Sequence, residues 1–330
     1  MKNNVPSIVI IAFIMFAFLN LLGCKSVSNI PSILPNVQVM PSDAEIVFAY
    51  NKGEKSGLYR VGITNSIVHE LVSPIKGIIH DPCISGDGKS ILFVFSEKAG
   101  DTYQDWIATT SSASSVMVKL FKSNHPITSI VASRISQRVY YVSSNNAGKS
   151  SPLVNSKLRN MQLNSSLLDG SGIRVESDFD AFQIGGKLNF DSEEKNIFMN
   201  IIFSNNSRVD GPYMYDIKNK NLKYIIDNKP QEYTYKEFLS PASSFDNKKI
   251  FLKGSYQVYE SNSNSVPFSQ SKEEQYRYQH AILGLCPFNS SNGFVINRKN
   301  THDRFFVVVN EAGDQKEIAV DMRKFSNDFM

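Results

Sequence analysis

The chain has 330 residues, three cysteines and a formal net charge of +4, with 42% apolar and 11% aromatic residues. That composition supports a sizeable packed core and excludes an intrinsically disordered chain. The charge is too small and too evenly spread for a nucleic-acid-binding surface, so no nucleic-acid partner is expected.

In chain order, the first element is a targeting signal. Residues 1–4 carry one cation, Lys2, and Val5 to Leu22 is almost wholly apolar, broken by Pro6, Ser7 and Asn20. The stretch ends in Leu21-Leu22-Gly23-Cys24. A short cationic lead, an apolar stretch and a small residue before the cut describe a secretory signal. Cys24 follows directly, and its thiol is a nucleophile that can accept a diacylglycerol in thioether linkage. Leu21-Leu22-Gly23-Cys24 resembles the lipobox of bacterial lipoproteins. The expected domains are a signal peptide over 1–23, a lipidated Cys24 with a flexible tether over 24–36, and a folded domain over 37–330. The resemblance implies several acyl chains, which hold a protein to a membrane firmly where one chain holds it marginally. Lys25 stands where lipoproteins retained in the enteric inner membrane have Asp. The resemblance therefore implies the outer membrane, at its periplasmic face or the cell surface. An uncleaved transmembrane anchor is the alternative, because about 18 apolar residues just span a bilayer.

Beyond residue 36 the apolar runs are short, alternating and rich in Val, Ile, Tyr and Phe, with Gly, Asn, Asp and Ser clusters between them. This predicts an all-β domain. The clearest unit runs from Asp81 to Val94. Gly86-Asp87-Gly88 is expected to supply the positive-φ positions of a hairpin turn. Ile84 and Ile91 bracket that turn. The same bracket recurs as Met40 and Val47, Ala132 and Val139, Phe190 and Ile197, Ser243 and Ile250, and Phe288 and Val295. Apolar or aromatic residues follow each one: Phe48, Phe93, Tyr140-Tyr141, Phe198, Phe251 and Ile296. The brackets recur every 44 to 58 residues or so, and each unit holds two later strand candidates, a period typical of propeller blades at roughly 40 to 50 residues. The expected fold is a β-propeller with six blades of four antiparallel strands, and seven blades is the next choice. The aromatics should fill the space between neighbouring blades. Two packed sheets with accidental periodicity are the competing architecture.

Pro82 to Val94 resembles the TolB-type, WD40-like propeller repeat. Ser85, Asp87, Gly88 and Lys89 match, while Ile84 replaces the preferred Trp and Gly86 the preferred Pro. Only the second unit matches well; the other five are degenerate. The resemblance implies the propeller fold and, by analogy, partners among envelope proteins or peptidoglycan-associated lipoproteins.

No catalytic constellation stands out. The G-x-S-x-G elbow is absent, His69-Glu70 has no second His in zincin spacing, and neither a P-loop nor a dinucleotide fingerprint occurs. No catalytic residue, cofactor or metal is assigned. Asp178-Phe179-Asp180 lacks the further oxygen ligands of a calcium loop and reads as a solvated acidic turn. Cys83 and Cys286, on innermost strands two blades apart, read as small buried hydrophobes beyond disulfide reach. One ligand-site hypothesis remains. His80, Asp81, His125, Glu237 and His280 precede their brackets, so they could converge at one mouth of the central channel and hold a metal or small ligand. The expected function is a monomeric, membrane-anchored, non-catalytic binding or scaffold propeller for a protein or glycan of the cell envelope. The alternatives are a propeller hydrolase or lyase acting on glycans, with Glu237, Asp81 and Asp180 as first candidates, and a surface-exposed adhesin.

Overall fold

The computed structural model describes residues 37–39, 44–111, 115–144, 160–204, 208–225, 241–254, 257–262, 276–277, 282–288, 290–299, 304–321 and 323. The chain divides into Met1–Ser32 and Ile33–Met330, and every described residue lies in the second unit. Those residues form six antiparallel sheets, each of four strands consecutive in sequence. Blade 1 holds β1 Val37–Val39, β2 Glu45–Lys52, β3 Lys55–Gly62 and β4 Val68–Lys76. Blade 2 holds β5 Ile78–Ile84, β6 Ser90–Ala99, β7 Thr102–Ser111 and β8 Val118–Lys122. Blade 3 holds β9 Ile127–Ala132, β10 Arg138–Ser144, β11 Met161–Leu167 and β12 Arg174–Phe179. Blade 4 holds β13 Ala181–Phe190, β14 Asn196–Phe203, β15 Gly211–Asp216 and β16 Asn221–Tyr224. Blade 5 holds β17 Pro241–Ser243, β18 Lys249–Lys253, β19 Gln257–Asn262 and β20 Tyr276–Arg277. Blade 6 holds β21 Ile282–Pro287, β22 Phe294–Lys299, β23 Arg304–Val309 and β24 Gln315–Val320. This is the expected six-bladed propeller. Among the described residues no helix is long and apolar enough to cross a membrane.

Strand periodicity explains why the sheets stack in a ring. Successive side chains of a strand leave on opposite faces, and here each face meets a different neighbour. On β6, Ile91, Phe93 and Phe95 pack on blade 1, while Leu92 and Val94 pack on blade 3. On β10, Val139 and Tyr141 turn to blade 2, and Tyr140 and Val142 to blade 4. Phe198 fills the seam between blades 4 and 5, and Phe251 that between blades 5 and 6. The aromatics that follow each turn therefore lie between blades, as expected. The last seam closes the ring. Ile46, Phe48, Tyr59 and Val61 of blade 1 meet Val295, Phe306, Val308 and Ile318 of blade 6. Phe48 and Phe306 lie 5.2 Å apart between ring centroids. Lys316 Nζ donates to the carbonyls of Ile63 at 2.7 Å and Thr64 at 3.1 Å.

Four brackets pair in register, as Ile84–Ile91, Ala132–Val139, Phe190–Ile197 and Ser243–Ile250. Two are shifted by one residue. The true pairs are Val39–Ile46 and Pro287–Phe294, because Phe288 already belongs to the turn, its N–H bonded to the Gly293 carbonyl. The glycine reading also needs correction. Gly88 has φ +71°, but Gly86 does not have positive φ. Gly86 is required by proximity: a Cβ there would stand 2.3 Å from the Ser133 carbonyl oxygen of blade 3.

The centre of the ring is filled. β13 carries a register break between Gly185 and Asn189, with Gly186 at φ +73°. Consecutive glycines and a bulge push this strand towards the axis, where it reaches β17 and, across the ring, β21.

Candidate functional site

The six inner strands run the same way, so their first hairpin turns gather at one mouth of the ring. Five of these turns surround a cavity of about 370 Å³. Its wall includes Ser85 and Asp87 of blade 2, Arg134 of blade 3, Asp191 and Glu194 of blade 4, Phe245 of blade 5 and Phe288 of blade 6. Cys83 and Cys286 also border it; both are buried and free.

The turns of blades 2, 4 and 5 are braced by their own side chains. Ser85 Oγ donates to Asp87 Oδ1 at 2.6 Å, the Lys89 N–H donates to the same oxygen, and the Ser90 N–H donates to Ser85 Oγ. Blade 5 repeats the arrangement with Ser244, Asp246, Lys248 and Lys249. There Asn247 takes the positive-φ position, at +59°, that Gly88 fills in blade 2. In blade 4 the single carboxylate of Asp191 accepts from the N–H groups of Lys195 and Asn196.

The turns are also bonded to each other. Glu194 reaches blade 3, where its carboxylate accepts from Ser133 Oγ at 2.6 Å and from the N–H groups of Arg134 and Ile135. The Ser192 N–H donates to Asn247 Oδ1 at 2.8 Å, and the Asp246 N–H to Asn292 Oδ1 at 3.0 Å. The Ser85 hydroxyl and the Lys89 N–H hold the Asp87 carboxyl below its ordinary range. Burial pushes Glu194 up, but its donors from Ser133, Arg134 and Ile135 outweigh this and leave it low. These carboxylates are ionised struts. Phe245 of the cavity wall is 42% exposed, and Ile135, next in sequence to Arg134 of the wall, is 71% exposed.

Beneath the cavity, the channel is plugged by a buried ion pair. Asp81 Oδ1 lies 3.4 Å from Lys187 Nζ, with the two side chains 0% and 4% exposed. Ser129 Oγ donates to Asp81 Oδ2 at 2.5 Å, the Ile130 N–H donates to the same oxygen, and Lys187 Nζ donates to the Pro82 carbonyl at 2.6 Å. Burial pushes the Asp81 carboxyl up, against the pull of Lys187 and these donors. The cluster joins the inner strands of blades 2, 3 and 4.

The five residues expected at the channel mouth meet different fates. His80 is buried and neither ring nitrogen has a hydrogen-bond partner among the described residues. Desolvation pushes its pKa down to about 3. It lies opposite Val94, on the face of blade 2 that meets blade 3. Asp81 turns inward to Lys187. His125 is exposed on the link from β8 to β9, its N–H bonded to Ser123 Oγ. Glu237 and His280 lie outside the described residues. Among the described residues no three His, Cys, Asp or Glu side chains gather in a metal-binding group. Asp178 and Asp180 are exposed and separately bonded, to Gln162 and Ser204.

Sequence reasoning missed two residues. Lys187 was signalled only by the Gly185-Gly186 break within an apolar strand. Asp105 of β7 is buried and accepts from the Ile127 N–H at 2.7 Å, pinning the first residue of blade 3. Burial pushes its carboxyl up to about 6, against the Ser96 hydroxyl and the Ile127 N–H.

No family model and no curated protein matches the chain. Among solved structures it is similar to TolB from Acinetobacter baumannii, with a TM-score of 0.59 and 13% identity over 84% of this chain. The chain spans 63% of that protein's length. It is similar too to a protein assigned as TolB from Agrobacterium tumefaciens, with a TM-score of 0.58 and 11% identity over 82% of this chain and 91% of the other. A gluconolactonase from Xanthomonas campestris gives 0.53 and 9%, over 79% and 81%. At these identities the likeness establishes the propeller fold alone.

Proposed function

We propose that the protein is a cell-envelope lipoprotein, anchored through Cys24, whose propeller is a non-catalytic module that binds a protein partner at the turn-lined cavity. The observation that carries this reading is the division of labour among carboxyl groups. Asp87 and Glu194 on the cavity wall are held ionised as struts of the turns, whereas the two described carboxyls with raised pKa, Asp81 and Asp105, are sealed away from it. General acid catalysis on a glycan calls for a raised carboxyl beside a second, ionised one at the substrate. A cup with a rigid hydrogen-bonded rim and exposed Ile135 and Phe245 suits recognition of a partner's surface segment.

The reading is tested by placing a photo-crosslinking amino acid at Phe245 in the full chain, expressed in its own envelope, with a second at exposed Asp101 as control. A discrete protein adduct at Phe245 that is absent at Asp101 is the expected result. No adduct at Phe245, together with turnover of a cell-wall glycan by the purified chain, overturns it in favour of the enzyme.

A further inference from the structure

The direction of β1 shows where the anchored end of the chain enters the ring. Val39 lies opposite Ile46 and Val37 opposite Phe48. Stepping back from Val39 to Val37 therefore moves away from the cavity mouth, along β2 towards its far end at Lys52. At that far end Lys52 pairs with Lys55, and Lys55 with Lys76. Glu54 stands between Lys76, at 3.6 Å, and Lys98, at 3.3 Å. Four lysines around one glutamate make a basic corner on the face opposite the cavity, with Lys52, Lys76 and Lys98 exposed.

We propose that the face carrying this corner rests on the bilayer that holds the anchor, so that the cavity opens into the aqueous compartment. The proposal rests on the reading of Cys24 as lipidated; chain length then excludes the inverted orientation, and charge favours the face that carries the corner. Cys24 to Val37 is about 13 steps of at most ~3.6 Å, a reach of roughly 47 Å whatever its conformation. About 14 Å of that is used in passing the four residues of β2 beyond Phe48. To bring the cavity onto the bilayer, the remaining ~33 Å would have to cross three strand spacings from β1 to β4, about 14 Å, and then descend a blade about 27 Å deep. The reach falls short by about 8 Å even when fully extended. Resting on the face opposite the cavity needs no such detour, and anionic headgroups complement the lysines of its corner. The partner of the cavity is then a protein that arrives through water.

The test uses the full acylated chain in phosphatidylethanolamine–phosphatidylglycerol vesicles that carry a headgroup nitroxide. A fluorophore is attached through Asp101→Cys, on the face opposite the cavity, or Lys89→Cys, at the other end of β6. The expected result is at least two-fold quenching of the first label and almost none of the second. Equal quenching, or stronger quenching at Lys89→Cys, overturns the orientation while the anchor stands. A chain that carries no acyl mass on Cys24 when isolated from its own envelope overturns the anchor reading instead.

Discussion

His80 and Asp105 sit on the same face of blade 2 and titrate in opposite senses. Burial carries His80 from 6.5 to about 3, so between those values the unfolded chain holds a proton that the folded chain refuses. Stability drawn from neutral His80 is lost as pH falls through that window. Burial carries Asp105 from 3.8 to about 6, so there the folded chain holds a proton that the unfolded chain releases. Its contribution grows as pH falls from about 6 to 4. At about 1.4 kcal/mol per unit, Asp105 alone would contribute about 3 kcal/mol over this window, and His80 would offset it. The prediction concerns differences from the parent in urea unfolding across a pH series. His80→Phe should gain stability on acidification relative to the parent, and Asp105→Asn should lose it. Three parallel curves would refute the opposing titration.

The inner turn is the element on which blade contact depends. Gly86→Ala should destabilise by roughly 1–3 kcal/mol, because the methyl group is forced against the Ser133 carbonyl in a packed seam. Thermal unfolding would show it, and an unchanged midpoint would mean that blade 3 gives way freely. The turn also shows how much the sequence reveals. Period and blade count were legible because they depend on local chemistry: apolar pairs around a turn and aromatics just after it. Ser244 to Lys248 was read as degenerate, although it has the geometry of Ser85 to Lys89. Asn247 tolerates the left-handed backbone that Gly88 adopts, and this equivalence is hidden in a residue-by-residue match. The Asp81–Lys187 plug was illegible for a different reason. Its partners come from different blades, and only the β13 bulge brings them together. The channel-mouth hypothesis failed for His80 in the same way. The register that places it opposite Val94 turns its ring into a seam.

At the scale of the whole molecule, every blade is made from strands consecutive in sequence, and among the described residues no strand is exchanged between the first blade and the last. The closing seam therefore rests on side chains such as Phe48 and Phe306 and on Lys316. Phe306→Ala should cost about 3–5 kcal/mol and raise amide exchange in blades 1 and 6 more than in blades 3 and 4. Uniform exchange around the ring would mean that the closure seam is no weaker than the others. The five other seams are each bridged by a covalent link, but this one is a clasp. A pull on the N-terminal side of the chain, transmitted through β1, acts beside it. Under load the ring has a built-in parting line, along which it would split open like a bracelet with all six sheets still intact.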